Sequence, residues 1–132
     1  MPEFLAEGVA IQNLLFPDRV VIGTPTDQNG QDAFQLIKGL YTNFETKFIH
    51  VRTASSELGK LFANAMLAQR ISSINSMTQL CEAVGASVQD LSQIVGSDKR
   101  IGPYFLQSSP GFGGSCFDKD LLSLIYILES LG

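Results

Sequence analysis

The feature that most constrains the fold is a long segment with a helical pattern, at residues 55–84. It contains no proline, and its one glycine, Gly59, lies in the second turn. Apolar residues recur in it at spacings of three and four: Leu67, Ile71, Ile74, Met77, Cys81 and Val84. This period predicts one amphipathic helix, with Thr53 as its N-cap and Gly85 at its end. At 1.5 Å per residue it would be about 45 Å long, so we expect it to join two domains or to pack on a partner subunit.

Two short apolar runs precede this helix, at residues 20–23 and 48–51, and both are typical of buried strands. The residues between them, at 30–44, have the spacing of an amphipathic helix. A strand, a helix and a second strand form a crossover unit with parallel strands and a right-handed connection. Because two short strands are not a stable sheet alone, we expect them to be the last part of a larger sheet. Pro2 and the acidic residues after it predict a further helix over residues 2–14.

The second half of the chain contains only helix and loop patterns. Ser87 and Asp90 have the spacing of a capping box, which predicts a short helix that Gly96 ends. A charged turn at residues 98–103 and an irregular segment at residues 104–110 follow. Ser115 and Asp118 repeat the capping pattern before a second apolar period, so a last helix is predicted from about residue 116.

The composition is that of a globular protein, since 45% of the 132 residues are hydrophobic and 17% are charged. The net charge of -4 and the scattered basic residues argue against a nucleic acid partner. No stretch resembles a signal peptide or approaches the roughly 20 apolar residues of a membrane helix, so we expect a soluble cytoplasmic protein without a membrane partner. One histidine and two cysteines argue against a metal site and a disulfide framework. His50 and Cys81 lie in apolar surroundings, and both are predicted to be structural.

The candidate site is the glycine-rich stretch at residues 111–120, which places Cys116 at the start of the last helix. A helix N-terminus favours negative charge, and Lys119 adds a positive charge one turn later. Both effects favour the thiolate, which is the nucleophilic form of cysteine. Asp120, at i+4 from Cys116, projects from the same face and could position or deprotonate a water. The alternative, that Cys116 is an inert buried residue on a capped helix, stays open on the residues alone.

Two further pairs share a helical face at i,i+4 spacing, Glu3 with Glu7 and Lys60 with Asn64. The glutamates are interpreted either as a solvated acidic first turn or as an acid–base pair. Near the start of a helix the dipole disfavours a lysine, so Lys60 and Asn64 are either a solvated pair or are held there for chemistry. Arg100 is either a solvated residue or a ligand for phosphate.

Several runs, in order along most of the chain, carry a specific family resemblance. They are Pro-Glu-Phe-Leu-Ala-Glu-Gly at 2–8, Pro-Asp-Arg-Val at 17–20, Ser-Glu-Leu-Gly-Lys-Leu-Phe-Ala-Asn-Ala at 56–65, Ala-Gln-Arg-Ile-Ser-Ser-Ile-Asn-Ser at 68–76, Arg-Ile-Gly at 100–102 and Gly-Phe-Gly-Gly-Ser-Cys-Phe-Asp-Lys-Asp at 111–120. Together they resemble the nucleotide-sugar 6-dehydrogenases, and within that family the UDP-glucose 6-dehydrogenase branch of animals and plants. The GDP-mannose and N-acetylmannosamine 6-dehydrogenases share the Cys, Lys and Asp pattern, but the wording of the last run and of residues 70–75 favours the UDP-glucose branch.

In that family NAD oxidises an alcohol twice, through an aldehyde that a cysteine captures as a thiohemiacetal and holds as a thioester until water releases the acid. The resemblance implies that Cys116 is this nucleophile, that Lys60 stabilises oxyanion charge and that Asn64 positions substrate and water. It implies that Glu3 acts in thioester hydrolysis and that Asp120 supports water activation.

The resemblance also implies ligand contacts. Those with the cofactor NAD fall on Glu7, Cys116 and Lys119. Those with the substrate UDP-glucose fall on Phe4, Leu5, Lys60, Asn64, Arg100, Phe105, Leu106, Gln107, Ser109, Gly111, Phe112 and Gly113. Arg100 is expected to reach a substrate held mainly by the neighbouring subunit.

The implied fold is α-rich α/β. Residues 1–53 would be the terminal βαβ piece of a Rossmann-type NAD domain, joined by the long helix to an all-α dimerisation domain at 54–132 that forms a homodimer or higher oligomer. Two departures are Met1, where the family usually has asparagine, and Gln107, where lysine is common. Because no Gly-x-Gly-x-x-Gly follows a strand, we expect an internal fragment of such an enzyme, inactive alone. The alternative is a non-catalytic helical dimerisation module.

Overall fold

The structure, a computed structural model, describes residues 8–132 except for the side chain of Ser115. Its helices are α1 (Ala10–Leu15), α2 (Gln28–Gly39), α3 (Thr53–Ser76), α4 (Thr78–Val84), α5 (Val88–Ser97) and α6 (Ser115–Leu131), and its strands are β1 (Arg19–Thr24) and β2 (Lys47–Arg52). The contacts divide the chain into two units, one up to Lys60 and one from Leu61. Among the described helices, none combines the length and the apolar character needed to cross a bilayer.

The first unit is built on the parallel pair of β1 and β2, as the strand, helix and strand pattern predicts. Val20 lies opposite Phe48 and Ile22 opposite His50. Val20 and Ile22 are buried, which accounts for the apolar run in β1. The connecting helix α2 begins after Asp27, whose side chain accepts the N–H of the third helical residue at 2.8 Å.

His50 has two contacts within the first unit that fix its ring. Its Nε2 lies 2.6 Å from Oγ1 of Thr24 on the neighbouring strand. The ring also stacks on Phe34 of α2, with centroids 4.1 Å apart and planes 8° from parallel. The predicted structural role of His50 is confirmed by these contacts.

The second unit has its core where α3, α4 and α5 meet. Ile74, Cys81 and Val88 form a buried cluster, and the partly buried Leu91 packs against it. The prediction that Cys81 is a core residue is therefore confirmed. Two predicted boundaries are also observed, since Gly85 ends α4 with a φ of 71° and the Ser87 hydroxyl accepts the N–H of Asp90 at 3.2 Å.

The predicted single helix over residues 55–84 is wrong, because α3 and α4 are separated at Met77. There the backbone forms a tighter turn, with the N–H of Met77 donated to the carbonyl of Ile74 at 3.1 Å. Ser76 donates its hydroxyl to the carbonyl of Ser73 at 2.7 Å, and such local bonds compete with the helical ladder. The Thr53 cap is wrong as well, since α3 already includes that residue.

Two other helices differ from their predicted lengths. The helix predicted over residues 30–44 ends at Gly39, a poor helix former, and the chain continues in turns closed by bonds such as that from Leu40 N–H to the carbonyl of Ile37. The helix predicted over residues 2–14 lies partly outside the described residues. Among the described residues it is observed only from Ala10, the first residue of α1, and Gly8 has a φ of 83°, which is not helical.

The predicted capping box at the start of the last helix is also wrong. Helix α6 already includes Ser115, and the capping position is taken by Gly114, which has no side chain to donate or accept. Gly114 has a φ of 103°, a backbone conformation that suits glycine. The predicted start at about residue 116 is nevertheless confirmed to within one residue, and Cys116 lies within the first turn of α6.

Candidate active site

A hydrogen-bonded pair of side chains joins α3 to α6 in the second unit. Asn64 donates from Nδ2 to Oδ2 of Asp120 at 2.6 Å. Asp120 is only 2% exposed, and a buried carboxylate is tolerated where it is hydrogen-bonded or paired. Nζ of Lys119 lies 3.8 Å from Oδ1 of Asp120, with 70% of the lysine side chain exposed. Two of the predicted catalytic residues, Asn64 and Asp120, are thus in direct contact.

The thiol of Cys116 is exposed on the first turn of α6. It precedes Asp120 by four residues in this helix, so both side chains project from one face, as predicted. The alternative in which Cys116 is a buried, inert residue is therefore wrong about burial, because the residue is exposed. The thiol lies beside the first-turn N–H groups of α6, and the partial positive charge of a helix N-terminus favours an anion there.

The predicted substrate segment approaches the same turn of α6 through aromatic rings. Phe117, which follows the cysteine, has its ring centroid 6.4 Å from that of Phe105 and 6.3 Å from that of Phe112. Both pairs are edge to face, a favourable arrangement for aromatic rings. Residues 105–113 are therefore held beside the helix that carries the thiol.

The remaining residues of this segment differ in exposure. Gln107, Gly111 and Gly113 are exposed, whereas Leu106 is buried. The Ser109 hydroxyl donates to the carbonyl of Gly111 at 2.7 Å, which shapes the start of the glycine loop.

Two other predicted site residues are described by their own surroundings. Lys60 is 8% exposed and belongs to the first unit, four residues before Asn64 on α3. Arg100 pairs with Asp98 in its own turn at 2.6 Å, with 88% of the arginine side chain exposed. This pairing raises the pKa of Arg100 and lowers the pKa of Asp98.

The predictions for Glu3, Phe4, Leu5 and Glu7 fall outside the described residues. In the part of the chain that the structure does describe, no group of three or more His, Cys, Asp or Glu is placed to hold a metal ion.

Sequence reasoning assigned no role to three polar residues that hold the segment before the glycine loop. Arg70, Asn75 and Ser92 each bind its backbone, at 2.8, 2.9 and 2.5 Å. The available signal is that Arg70 and Asn75 lie in the run at residues 68–76 that carries part of the family resemblance. Helical periodicity alone does not separate such residues from polar residues that face solvent.

Two domains of one known protein family match this chain. Residues 54–132 match the central domain of the UDP-glucose/GDP-mannose dehydrogenase family, and residues 1–45 match its NAD binding domain. The chain belongs to this family. The resemblance stated from the sequence motifs is thereby confirmed.

Curated members of the dehydrogenase family match nearly the whole chain. UDP-glucose 6-dehydrogenase 1 of Glycine max is 56% identical over 133 residues, which is 99% of this chain and 28% of that protein. UDP-glucose 6-dehydrogenase of Gallus gallus is 53% identical over 132 residues, which is 98% of this chain and 27% of that protein. The chain therefore spans a little over a quarter of the length of these relatives.

Solved structures of the family agree with the fold. A UDP-glucose dehydrogenase from Pyrobaculum islandicum matches with a TM-score of 0.87 and 36% identity, over 98% of this chain and 29% of that one. A GDP-mannose dehydrogenase from Pseudomonas aeruginosa, solved as a ternary complex, matches with a TM-score of 0.61 and 27% identity, over 97% of this chain and 29% of that one. The α-rich architecture with a short parallel strand pair is thus that of the NAD binding and central domains of this family.

Proposed function

We propose that this chain carries the catalytic thiol of an NAD-dependent UDP-glucose 6-dehydrogenase, which oxidises UDP-glucose to UDP-glucuronate. The observation that carries the proposal is the exposed Cys116 one helical turn before the buried Asp120, whose carboxylate is hydrogen-bonded to Asn64. The names of the relatives support the substrate, and the match to an NAD binding domain supports the cofactor. The higher TM-score of the UDP-glucose dehydrogenase favours this branch over GDP-mannose oxidation.

Two of the three residues predicted to contact NAD are described by the structure, and both suit such a contact. Lys119 is largely exposed on the first turn of α6, and its positive charge suits an anionic dinucleotide. Cys116 is exposed on the same turn, while Glu7, the third predicted contact, lies outside the described residues. NAD would supply the hydride acceptor for both oxidations.

The proposed chemistry of Cys116 is nucleophilic catalysis. After the alcohol has lost a hydride and a proton, the thiolate adds to the aldehyde carbon, forming a C–S bond and a thiohemiacetal oxyanion. Loss of a second hydride from that carbon leaves a thioester. Water then attacks the thioester, the C–S bond breaks, and the acid leaves with the thiolate restored.

Further residues are assigned supporting roles by the family resemblance. Lys60 would stabilise the oxyanion, and Asn64 would position substrate and water while fixing Asp120. Asp120 would support water activation, with Glu3 acting in thioester hydrolysis. The hydrogen bond from Asn64 supports the shared role of Asn64 and Asp120, because it fixes the orientation of the carboxylate on the face that carries the thiol.

Substrate contacts are proposed for residues 105–113 together with Phe4 and Leu5, and Arg100 would reach a substrate of the neighbouring subunit. The central domain, at residues 54–132, is proposed to form the homodimer. Exposed apolar side chains along α6 support an interface there: Leu122, Ile125, Tyr126, Leu128 and Leu131. A concentration-independent monomer in light scattering would contradict this. The cytoplasmic location stays a prediction.

Thiol labelling tests whether Cys116 is activated or merely accessible. The matched control is Ser97→Cys, an exposed position at the last residue of α5, where the dipole disfavours an anion. We expect Cys116 to react with a thiol-selective reagent about tenfold faster at neutral pH than the control cysteine, and far faster than the buried Cys81. Equal rates at Cys116 and the control would favour the non-catalytic dimerisation module.

Turnover is tested in two proteins. The 132-residue chain with NAD and UDP-glucose is expected to form no NADH, and steady turnover would contradict its proposed inactivity alone. The soybean chimera, in which the matching segment of the Glycine max relative is replaced by this chain, is expected to form UDP-glucuronate. Cys116→Ser in the chimera should abolish that product, and its survival would refute the role of the thiol.

A further inference from the structure

The segment at residues 101–111, here termed the anchored segment, has no helix or strand, yet side chains of α3 and α5 fix it at three places. Arg70 donates from both terminal nitrogens to the carbonyls of Ile101 and Gly102, each at 2.8 Å. Further along, Asn75 accepts the N–H of Ser109 at 2.9 Å. Between these points, the Ser92 hydroxyl donates to the carbonyl of Leu106 at 2.5 Å.

All of these bonds end on backbone atoms of the anchored segment. The bonds therefore set the path of the chain without engaging its side chains. Tyr104, Phe105 and Gln107 stay exposed, while Leu106 is buried toward α5. This arrangement presents side chains on a fixed backbone, which is what a ligand-binding segment requires.

A strained residue lies between two of the anchors. Phe105 has a φ of 61°, and among the described residues it is the one non-glycine with a positive φ. Such a conformation persists where the surroundings fix it, and here Arg70 holds Gly102 on one side and Ser92 holds Leu106 on the other. The segment is therefore held in a conformation that its own residues would not adopt freely.

We propose that Arg70, Asn75 and Ser92 are positioning residues, which hold the anchored segment in its ligand-binding conformation before the nucleotide sugar arrives. The inference rests on the proposed function, in which residues 105–113 contact that ligand. A segment ordered in advance loses less conformational entropy on binding, so the anchors strengthen binding without touching the substrate.

The first test needs no ligand and uses the 132-residue chain. Asn75→Leu removes the acceptor of the Ser109 N–H, whereas Asn75→Asp keeps an acceptor oxygen. We expect the Ser109 amide to exchange with solvent about tenfold faster in Asn75→Leu and at the original rate in Asn75→Asp. Gln69→Leu, an exposed change on the same helix, is the control. Unchanged exchange in Asn75→Leu overturns the inference.

A second variant covers the case in which Asn75→Leu does not fold. Ser92→Ala removes the donor to the carbonyl of Leu106 with a small change of volume. Faster exchange of the amides at residues 104–108 is expected, with the helical circular dichroism retained. Unchanged exchange there would also overturn the inference.

The second test measures kinetics in the soybean chimera. Asn75→Leu should raise KM for UDP-glucose about tenfold and leave kcat nearly unchanged, and Asn75→Asp should restore KM. A merely structural defect would instead lower the active fraction, and with it kcat, at unchanged KM. An active chimera whose KM does not respond overturns the positioning role. An inactive chimera counts against the proposed function, and the amide exchange result alone then tests the positioning role.

Discussion

Replacing Asn64 by leucine tests the contact on which the candidate site depends. The substitution removes the donor that lies 2.6 Å from the carboxylate of Asp120. A hydrogen bond to a charged group contributes about 1.5–3 kcal/mol. The carboxylate is 2% exposed, so water does not replace the lost donor. The ion pair with Lys119 adds little, because its ammonium is 3.8 Å away on a mostly exposed side chain, and exposed ion pairs contribute about 0–1 kcal/mol.

We therefore expect Asn64→Leu to lower the free energy of unfolding by about 2–3 kcal/mol. For a domain of 60–100 residues, each 1 kcal/mol lowers Tm by about 4–8 °C, so a fall of roughly 10 °C or more is expected. Urea and thermal unfolding followed by circular dichroism measure both quantities. Gln69→Leu, on the exposed side of the same helix, should change the free energy by no more than about 0.5 kcal/mol.

A double-mutant cycle separates this contact from a general effect of the leucine. In an Asp120→Leu background the carboxylate is absent, so Asn64→Leu should cost at least about 1 kcal/mol less than in the original chain. The reasoning is refuted if Asn64→Leu costs under about 0.5 kcal/mol, or if its cost is the same in both backgrounds.

Further predictions concern the glycine loop, the strand pair and an exposed ion pair. Gly113→Ala should leave the free energy of unfolding unchanged or raise it by up to about 1 kcal/mol, because an added Cβ meets open space, whereas Gly114→Ala should lower it because φ there is 103°. Urea unfolding compares the two variants, and equal losses would contradict the backbone argument. Thr24→Val should destabilise the first unit by about 1 kcal/mol, because His50 loses its hydrogen bond, and unchanged amide exchange in β1 and β2 would count against this. The pKa of Asp98 is lowered from 3.8 by hydrogen bonds from the arginine two residues on, so its carboxylate stabilises the fold above 3.8 and that contribution is lost as pH falls through the lower folded value. An NMR titration of Asp98 should give a midpoint below 3.8, and a higher one would contradict the pairing.

Local sequence patterns predicted the elements and boundaries that depend mainly on residues close together in the chain. The apolar runs at β1 and β2 and the turn residues Gly85 and Ser87 each gave a correct element or boundary. The break at Met77 was not predicted, because the apolar period continues through it while the backbone tightens into the bond from Met77 N–H to the carbonyl of Ile74. A hydrophobic period reports which face is buried, and it does not report whether the helical ladder is continuous.

The candidate site was predictable where its members share one helix. Cys116 and Asp120 are four residues apart, so helix geometry alone places them on one face. The contact between Asn64 and Asp120 joins residues that are 56 positions apart, and no local pattern encodes it. The family resemblance identified both residues as site residues, but it did not predict the hydrogen bond between them. The bonds of Arg70 likewise join residues that are 31 and 32 positions apart, so they also depend on tertiary packing.

Helix α3 connects the two halves of the proposed site. Asn64 and Asn75 are three helical turns apart, and at 3.6 residues per turn they lie on nearly the same face. One amide fixes the carboxylate on the thiol-bearing helix α6, and the other fixes the backbone of the anchored segment. A single rigid helix therefore sets both positions, and Phe117 joins them at the other end through its contacts with Phe105 and Phe112. Each substitution should mainly disturb the group that its own amide holds, which is Asp120 for Asn64 and the anchored segment for Asn75. Asn64→Leu should therefore change the labelling rate of the Cys116 thiol more than Asn75→Leu does.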